Sequence, residues 1–387
     1  MITIDKTHIP ALTRQVKIAL RCAFPIPVVL SCTSDGRLDV TVCTGSLLIA
    51  HTIPVTTDDQ AHLRVWASDW AAVLKAAKGA KASTIQLANS GGLPAKLLVT
   101  TGAIKRSLDF APIPENPDDQ YPELGPVLKY EPVLWATDSW QFRRLWETVG
   151  PFVSRDECRV NLHQVLVMHQ GEAVRWVATD GHRMTIHGPS AADLPLKGPA
   201  SFGLPADVAK LAYAELPKPK SKMGVSVHVW TAKKDGAIFG EILTLNMVIR
   251  WKRTEAVFPP YTQIIPHHAN VISLSIAELT AAAEAAHAAS DTNLRQCRLE
   301  FAAGSLTVRS TLCVNDAQSE VTIDAIQDAG GGVPACTVIG VSAAYLLDAL
   351  KVAATFGDRI QIARGSELDP LLLTAGEFVC ILMPQRM

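Results

Sequence analysis

Asp180 and His182 lie two residues apart in Thr179-Asp180-Gly181-His182-Arg183, with His163 and His187 nearby in the chain. A carboxylate and an imidazole so placed could serve acid–base or hydrolytic chemistry, or supply two ligands to a metal. The spacing argues against both. Residues at i and i+2 across a turn do not converge on one ion without a third ligand, and none of these histidines has diagnostic metal-ligand spacing. Thr179-Asp180-Gly181 is also an ordinary turn sequence. The eight cysteines, at 22, 32, 43, 158, 297, 313, 336 and 380, stand singly with no CxxC pair. Cys43 and Cys380 sit in apolar runs, so buried free thiols in a reducing compartment are expected. No catalytic residue, metal site or cofactor is assigned. An α+β hydrolase using Asp180 and His182 stands as the alternative of a different class.

The elements around that turn are short strands, Val174-Arg175-Trp176-Val177 before it and Thr185-Ile186-His187 after it. They belong to a pattern that recurs three times. Helical spacing of apolar residues appears over residues 9–23, with Leu12, Val16 and Ala19 on one face, and over 139–153, with Phe142, Leu145, Trp146 and Val149. A third such stretch covers 275–289. Asp138 or Ser139, and Ser275, are the candidate N-caps. Second helices are predicted near Ser68, Pro205 and Ser342, spaced by roughly 136 residues, a repeat signal. Hairpins are predicted at 28–32 with 38–43, 164–169 with 174–178, and 297–301 with 305–309, joined by Gly-containing turns. Further strands are expected at 84–87 with 96–100, 225–230 with 241–246, and 360–363 with 371–373 and 378–382. Each third thus reads as an α+β unit of two helices and about eight strands. The expected domains are 1–126, closing on a proline-rich acidic linker from 111, then 127–268 and 269–387.

At 387 residues, with 48% hydrophobic and 19% charged residues, the chain can bury two or three cores. Lys+Arg 36 against Asp+Glu 37 excludes a simple basic DNA-binding domain, so nucleic-acid contact requires local segregation of charge. The N-terminus has no signal-peptide apolar core and no run of about 18 apolar residues occurs. A soluble cytoplasmic protein without membrane contact is expected.

The segment Val177-Ala178-Thr179-Asp180-Gly181-His182-Arg183-Met184 and the ending Ile381-Leu382-Met383-Pro384-Gln385-Arg386-Met387 occur in that order, about 200 residues apart. Together they resemble the signature segments of the bacterial DNA polymerase III β subunit, the sliding-clamp family. The similarity is clearest over 121–261 and 341–387. In the first third only the arrangement of elements and the approach Phe24-Pro25-Ile26-Pro27-Val28 match.

The resemblance implies a non-catalytic processivity factor that encircles duplex DNA without sequence readout. Three clamp-type domains from each of two chains would close head to tail into a ring whose helices line the pore. It also implies an apolar pocket for short motifs of the DNA polymerase III catalytic subunit, the clamp loader and other clamp-motif proteins. Positions matching its lining are Leu162, Thr179, Gly181, His182, Arg183, Met184, Pro259, Ile264, Tyr345, Ile381, Leu382, Met383, Pro384, Arg386 and Met387. His182 and Arg183 would supply polar groups at the rim. Gln385 stands where an apolar residue is usual and Pro370 where a small polar residue can occur, which bears on peptide preference. A paralogous clamp serving a plasmid, phage or repair polymerase is the second reading.

Candidate phosphate contacts follow from charge on the helices. Arg14, Lys17 and Arg21 form one basic face at i, i+3 and i+7. Lys75 and Lys78, then Arg143, Arg144 and Lys210, then Lys351 extend the set. The helix 275–289 carries Glu278 and Glu284 with only His287, so its contribution to a basic pore is small. For ring closure, basic Lys105 and Arg106 with Leu108 are matched against an acidic stretch containing Asp316 and Glu320.

Overall fold

The computed structural model describes residues 2–22, 25–44, 47–57, 61–78, 83–88, 95–101, 104–110, 135–170, 173–188, 200–216, 226–234, 237–244, 246–252, 256–268, 270–290, 295–311, 318–327 and 337–386. Among these residues the helices are α1 (Ile9–Ala19), α2 (Ala67–Lys78), α3 (Ser139–Val149), α4 (Ala206–Glu215), α5 (Ile276–Ala289) and α6 (Ala343–Ala353). The fold is α+β, with six helices and three antiparallel sheets.

Local chemistry sets the helix ends. The Asp138 carboxylate accepts the Trp140 N–H at 2.7 Å ahead of α3. Ser275 and Ser342 cap α5 and α6 by accepting from Glu278 N and Tyr345 N. α3 stops at Val149, before Gly150-Pro151, and a short 3-10 turn follows over Gly150–Phe152. The opening helix α1 is shorter than its apolar pattern, ending at Ala19 where the expectation ran to 23.

The chain divides into two compact units, 1–140 with 214–253, and 141–213 with 254–387. In the first, a twelve-stranded sheet runs from Ile104–Phe110 through Ala95–Thr101, Ser83–Ala88 and Ile2–Ile4 to Leu47–Thr57. It continues through Met247–Lys252, Ala237–Leu243 and Ser226–Lys234 to Trp135–Asp138. Leu47–Thr57 is the hub. One end pairs with Met247–Lys252 and the other with Ile2–Ile4, while its second edge takes Arg37–Cys43. The core beneath is built from Leu12 and Val16 of α1, Trp70 and Leu74 of α2, and strand residues such as Val28, Leu30 and Val40. Gln15 is also buried and donates to the Val40 and Ile49 carbonyls at 2.7 and 2.8 Å, tying α1 to the sheet.

In the second unit a nine-stranded sheet runs Ala200–Pro205, Gln164–Gln170, Ala173–Thr179, Arg183–His187, Phe378–Leu382, Leu371–Ala375, Arg359–Arg364, Asn270–Ser275, Ile326–Gln327. Its centre is the antiparallel pairing of Arg183–His187 with Phe378–Leu382, which places Arg183 opposite Leu382 and Met184 opposite Ile381. The two sequence segments that carried the resemblance are therefore hydrogen-bonded neighbours. A four-stranded sheet, Glu320–Asp324, Ser305–Ser310, Gln296–Ala302 and Thr337–Ser342, completes this unit beside α5 and α6.

The linker from 111 to 126, the turn at 171–172 and the segment Lys218-Pro219-Lys220-Ser221-Lys222 lie outside the described residues.

Candidate functional site

The turn between Ala173–Thr179 and Arg183–His187 is fixed from within. Gly181 adopts φ +92°, a conformation that costs a Cβ-bearing residue energy. The Asp180 carboxylate accepts the N–H groups of His182 and Arg183, each at 3.0 Å, and the Arg183 Nε–H at 3.0 Å. Thr179 Oγ1 donates to the Arg183 carbonyl at 2.7 Å and accepts the Gly181 N–H at 3.1 Å. Asp180 is thus committed to shaping the turn and to Arg183, not poised as a base for His182. Among the described residues no group of three His, Cys, Asp or Glu could hold a metal.

Arg183 does not stand at an open rim as the sequence reading placed it. Its side chain is only 5% exposed. The guanidinium bonds Asp348 Oδ2 at 2.7 Å and the Pro151 carbonyl at 3.0 Å, besides Asp180. It also lies 4.4 Å from the Tyr345 ring centroid and 5.0 Å from that of Phe152. Burial alone would lower its pKa, but Asp348 and Asp180 outweigh that and raise it. Of the two residues expected at the rim, His182 is the exposed one, and its ring stacks on Tyr345 with centroids 6.0 Å apart.

The C-terminal segment is docked beside this turn. The Met383 N–H donates to the His182 carbonyl at 3.0 Å, and the Gln385 N–H to the Gly340 carbonyl at 2.8 Å. Gln296 Nε2 donates to the Arg386 carbonyl at 3.0 Å. Pro370 carries a carbonyl that accepts from His268 Nε2 at 3.0 Å. Leu162 is buried, and a Cβ built on Gly181 would sit 3.9 Å from it.

Of the expected lining, Met184, Ile381 and Leu382 are core residues with almost no exposure. Met184 and Ile381 pack with Phe258 and Tyr261, which flank Pro259 and precede Ile264 in the 3-10 turn Tyr261–Ile264. Thr179 is buried as well. Of the remaining expected positions, His182, Ile264, Met383 and Arg386 are exposed, and Pro259, Tyr345 and Pro384 are half-buried. Met387 lies outside the described residues. Sequence reasoning missed Asp348, Phe152 and the Pro151 carbonyl. Asp348 stands three residues after Tyr345 on α6, so both share one helix face, but nothing in the sequence pairs it with Arg183.

The basic helix residues divide into two kinds. Lys17, Arg21, Lys75, Arg144, Lys210 and Lys351 are exposed, with the Arg144 guanidinium 4.9 Å from the Phe356 ring centroid. Arg14 is instead paired with the buried Glu215, through its Nε and through Nη2 at 2.8 Å. Arg143 is buried, donates to the Tyr213 carbonyl and lies 4.0 Å from the Tyr213 ring centroid. A guanidinium so enclosed holds α3 against α4 and does not reach a phosphate. The Lys78 side chain lies outside the described residues.

Lys105, Arg106 and Leu108 fall on Ile104–Phe110, the terminal strand of the twelve-stranded sheet among the described residues, with side chains outside the described residues. Glu320 opens the edge strand of the four-stranded sheet, but its carboxylate is taken by Arg309 of the adjacent strand at 3.0 Å. Asp316 lies outside the described residues.

No protein-family model matches the chain, and no curated protein matches it. Solved structures do. The beta sliding clamp of C. crescentus, solved with bound PEG, superimposes with TM-score 0.80 at 19% identity, covering 100% of this chain and 98% of that one. A DNA polymerase sliding clamp from Pseudomonas aeruginosa with ligand gives TM-score 0.77 at 18% identity, covering 100% and 99%. The Pseudomonas aeruginosa DnaN sliding clamp (DNA polymerase III subunit beta) bound to griselimycin gives TM-score 0.77 at 18% identity with the same coverage. From end to end, this chain has the fold of the DNA polymerase III β sliding clamps.

Proposed function

We propose that the protein is a DNA sliding clamp, a non-catalytic cytoplasmic processivity factor. In this reading three domains, 1–126, 127–268 and 269–387, from each of two chains close into a ring around duplex DNA. The observation that carries it is full-length agreement with sliding-clamp structures at 17–19% identity. Two strands that end their sheets among the described residues, Ile104–Phe110 and Glu320–Asp324, support head-to-tail closure by strand addition. DNA would be held by topology, with Lys17, Arg21, Lys75, Arg144, Lys210 and Lys351 as phosphate contacts carrying no base readout.

Polymerase, clamp-loader and other partner peptides would dock between the 179–184 turn, Tyr345 and the tail. Each Leu or Phe they bury contributes about 1.5–3 kcal/mol, part of which is lost to ordering the peptide. That balance gives an exchangeable site, suited to several partners in turn. Deleting residues 383–387 tests the docking assignment: binding of polymerase-derived peptides is expected to vanish while the dimer persists in gel filtration. Unchanged peptide affinity would refute it, and a strictly monomeric full-length protein at micromolar concentration would count against the ring.

A specialised clamp serving a plasmid, phage or repair polymerase is the second reading, favoured by the commitment of Arg14 and Arg143 to internal contacts. Competition with a host clamp for its replicative polymerase separates the two.

A further inference from the structure

The geometry points to Asp348 as a positioning and specificity-determining residue of the docking groove, one that selects apolar peptides with a basic flank over those with an acidic flank. The inference rests on reading that groove as a peptide site. It begins from how the Arg183 ion pairs are oriented. The positive member is hidden, at 5% side-chain exposure, while the Asp348 side chain is 44% exposed. Asp180, the other carboxylate on Arg183, is only 16% exposed. An approaching ligand therefore meets the negative end of a pair whose positive end is covered. The two carboxylates share one guanidinium, so the trio keeps an excess negative charge.

Asp348 also acts through Arg183. Its Oδ2 takes Nη1 at 2.7 Å, and that bond holds the guanidinium 4.4 Å from the Tyr345 ring centroid. Tyr345 in turn carries the exposed His182 ring on its face. Asp348 and Tyr345, three residues apart on α6, lie on one helix face, so the carboxylate stands beside the aromatic edge of the groove. Other ionisable side chains near the turn and α6 are Lys351, three residues further along α6, the exposed His182 and Arg386, and Arg159, whose Nη1 lies 3.6 Å from the Cβ position of Gly181 and which pairs with Asp156. Of the two carboxylates on Arg183, Asp348 is the more exposed and shares α6 with Tyr345, so it carries the negative charge a ligand flank encounters there. The effect is that of a half-exposed charge at a rim. It alters preference modestly and fades in salt.

The test uses the full-length protein and three synthetic peptides that share Leu and Phe anchors and differ in one flanking residue, Lys, Gln or Glu. Titrated at low salt, wild type is expected to bind them in the order Lys, Gln, Glu, with about threefold between the extremes. The order should collapse at high salt. Asp348→Asn, which keeps an oxygen for Arg183 but removes the charge, should bring the Lys and Glu peptides to one affinity. Asp348→Glu should restore the order. A flank preference that survives Asp348→Asn, or wild type that binds all three equally, overturns the role of Asp348 while leaving the docking site intact. Failure of wild type to bind any of the three overturns the docking reading itself, and this inference with it.

Discussion

Gly181 and Arg183 show two different ways in which one residue can hold the 179–184 turn. Gly181 has room for a methyl group, since a Cβ there meets nothing nearer than 3.6 Å, but its φ of +92° penalises one. Gly181→Ala is therefore expected to cost about 1–2 kcal/mol through backbone strain alone, read from urea unfolding. Arg183→Leu removes the partner of two carboxylates, one nearly buried, and should cost about 3 kcal/mol in the same assay. If the two variants proved equally mild, the ion-pair account of this turn would be wrong. The thiols give an independent check on burial. Cys297 and Cys380 are pushed up to about 12 by burial, whereas Cys158 is exposed. Under a thiol reagent in native buffer, mass spectrometry should find Cys158 labelled while Cys297 and Cys380 stay free until the protein unfolds.

Among the elements, α4 ends on a carboxylate, Glu215, at the pole of a helix where negative charge is unfavourable. Arg14 and His51 resolve this: burial alone would raise the Glu215 pKa, but these partners bring it below its ordinary 4.5. A carboxyl held low in the fold stabilises it fully above its unfolded value, and that stabilisation is lost as pH falls through the folded value. Wild type should therefore lose more stability than Glu215→Gln between about pH 5 and about pH 3, measured by urea melts across that window. Equal acid sensitivity of the two would remove Glu215 as a pH-dependent support. The Arg14–Glu215 pair was not legible in the sequence, because 201 residues separate its members and Arg14 fits a solvated basic face equally well. The helices themselves were legible. Candidate caps at Asp138 and Ser275, with apolar spacing and the starts read near Ser68, Pro205 and Ser342, located all six starts within a residue or so. The long strand Leu47–Thr57 was harder to read. It is buried along one half and alternates along the other, because it pairs with different strands at its two ends.

At the scale of the whole molecule, a net charge of −1 conceals how charge is distributed. The opening third gave the weakest resemblance in sequence yet shares the fold, since its identity rests on which positions are buried and not on any motif. The opposite held at the 179–184 turn and the C-terminal segment paired with it. There the motif residues were recognisable from sequence, but their division into core (Met184, Ile381, Leu382) and exposed edge (His182, Met383) needed the pairing of two distant strands. The exposed cations carry a prediction at this scale. Lys17→Glu with Arg21→Glu should shorten the residence of loaded protein on DNA, whereas Arg143→Gln should act on thermal stability instead, because its guanidinium is internal.

The central claim, that DNA is threaded and not gripped, is tested most directly by loading the protein onto a nicked circular plasmid and then linearising it. The account predicts a long-lived complex on the circle that is lost by sliding off the ends once the DNA is cut, and retained when both ends are blocked. Equal dissociation from circular and linear DNA would contradict it.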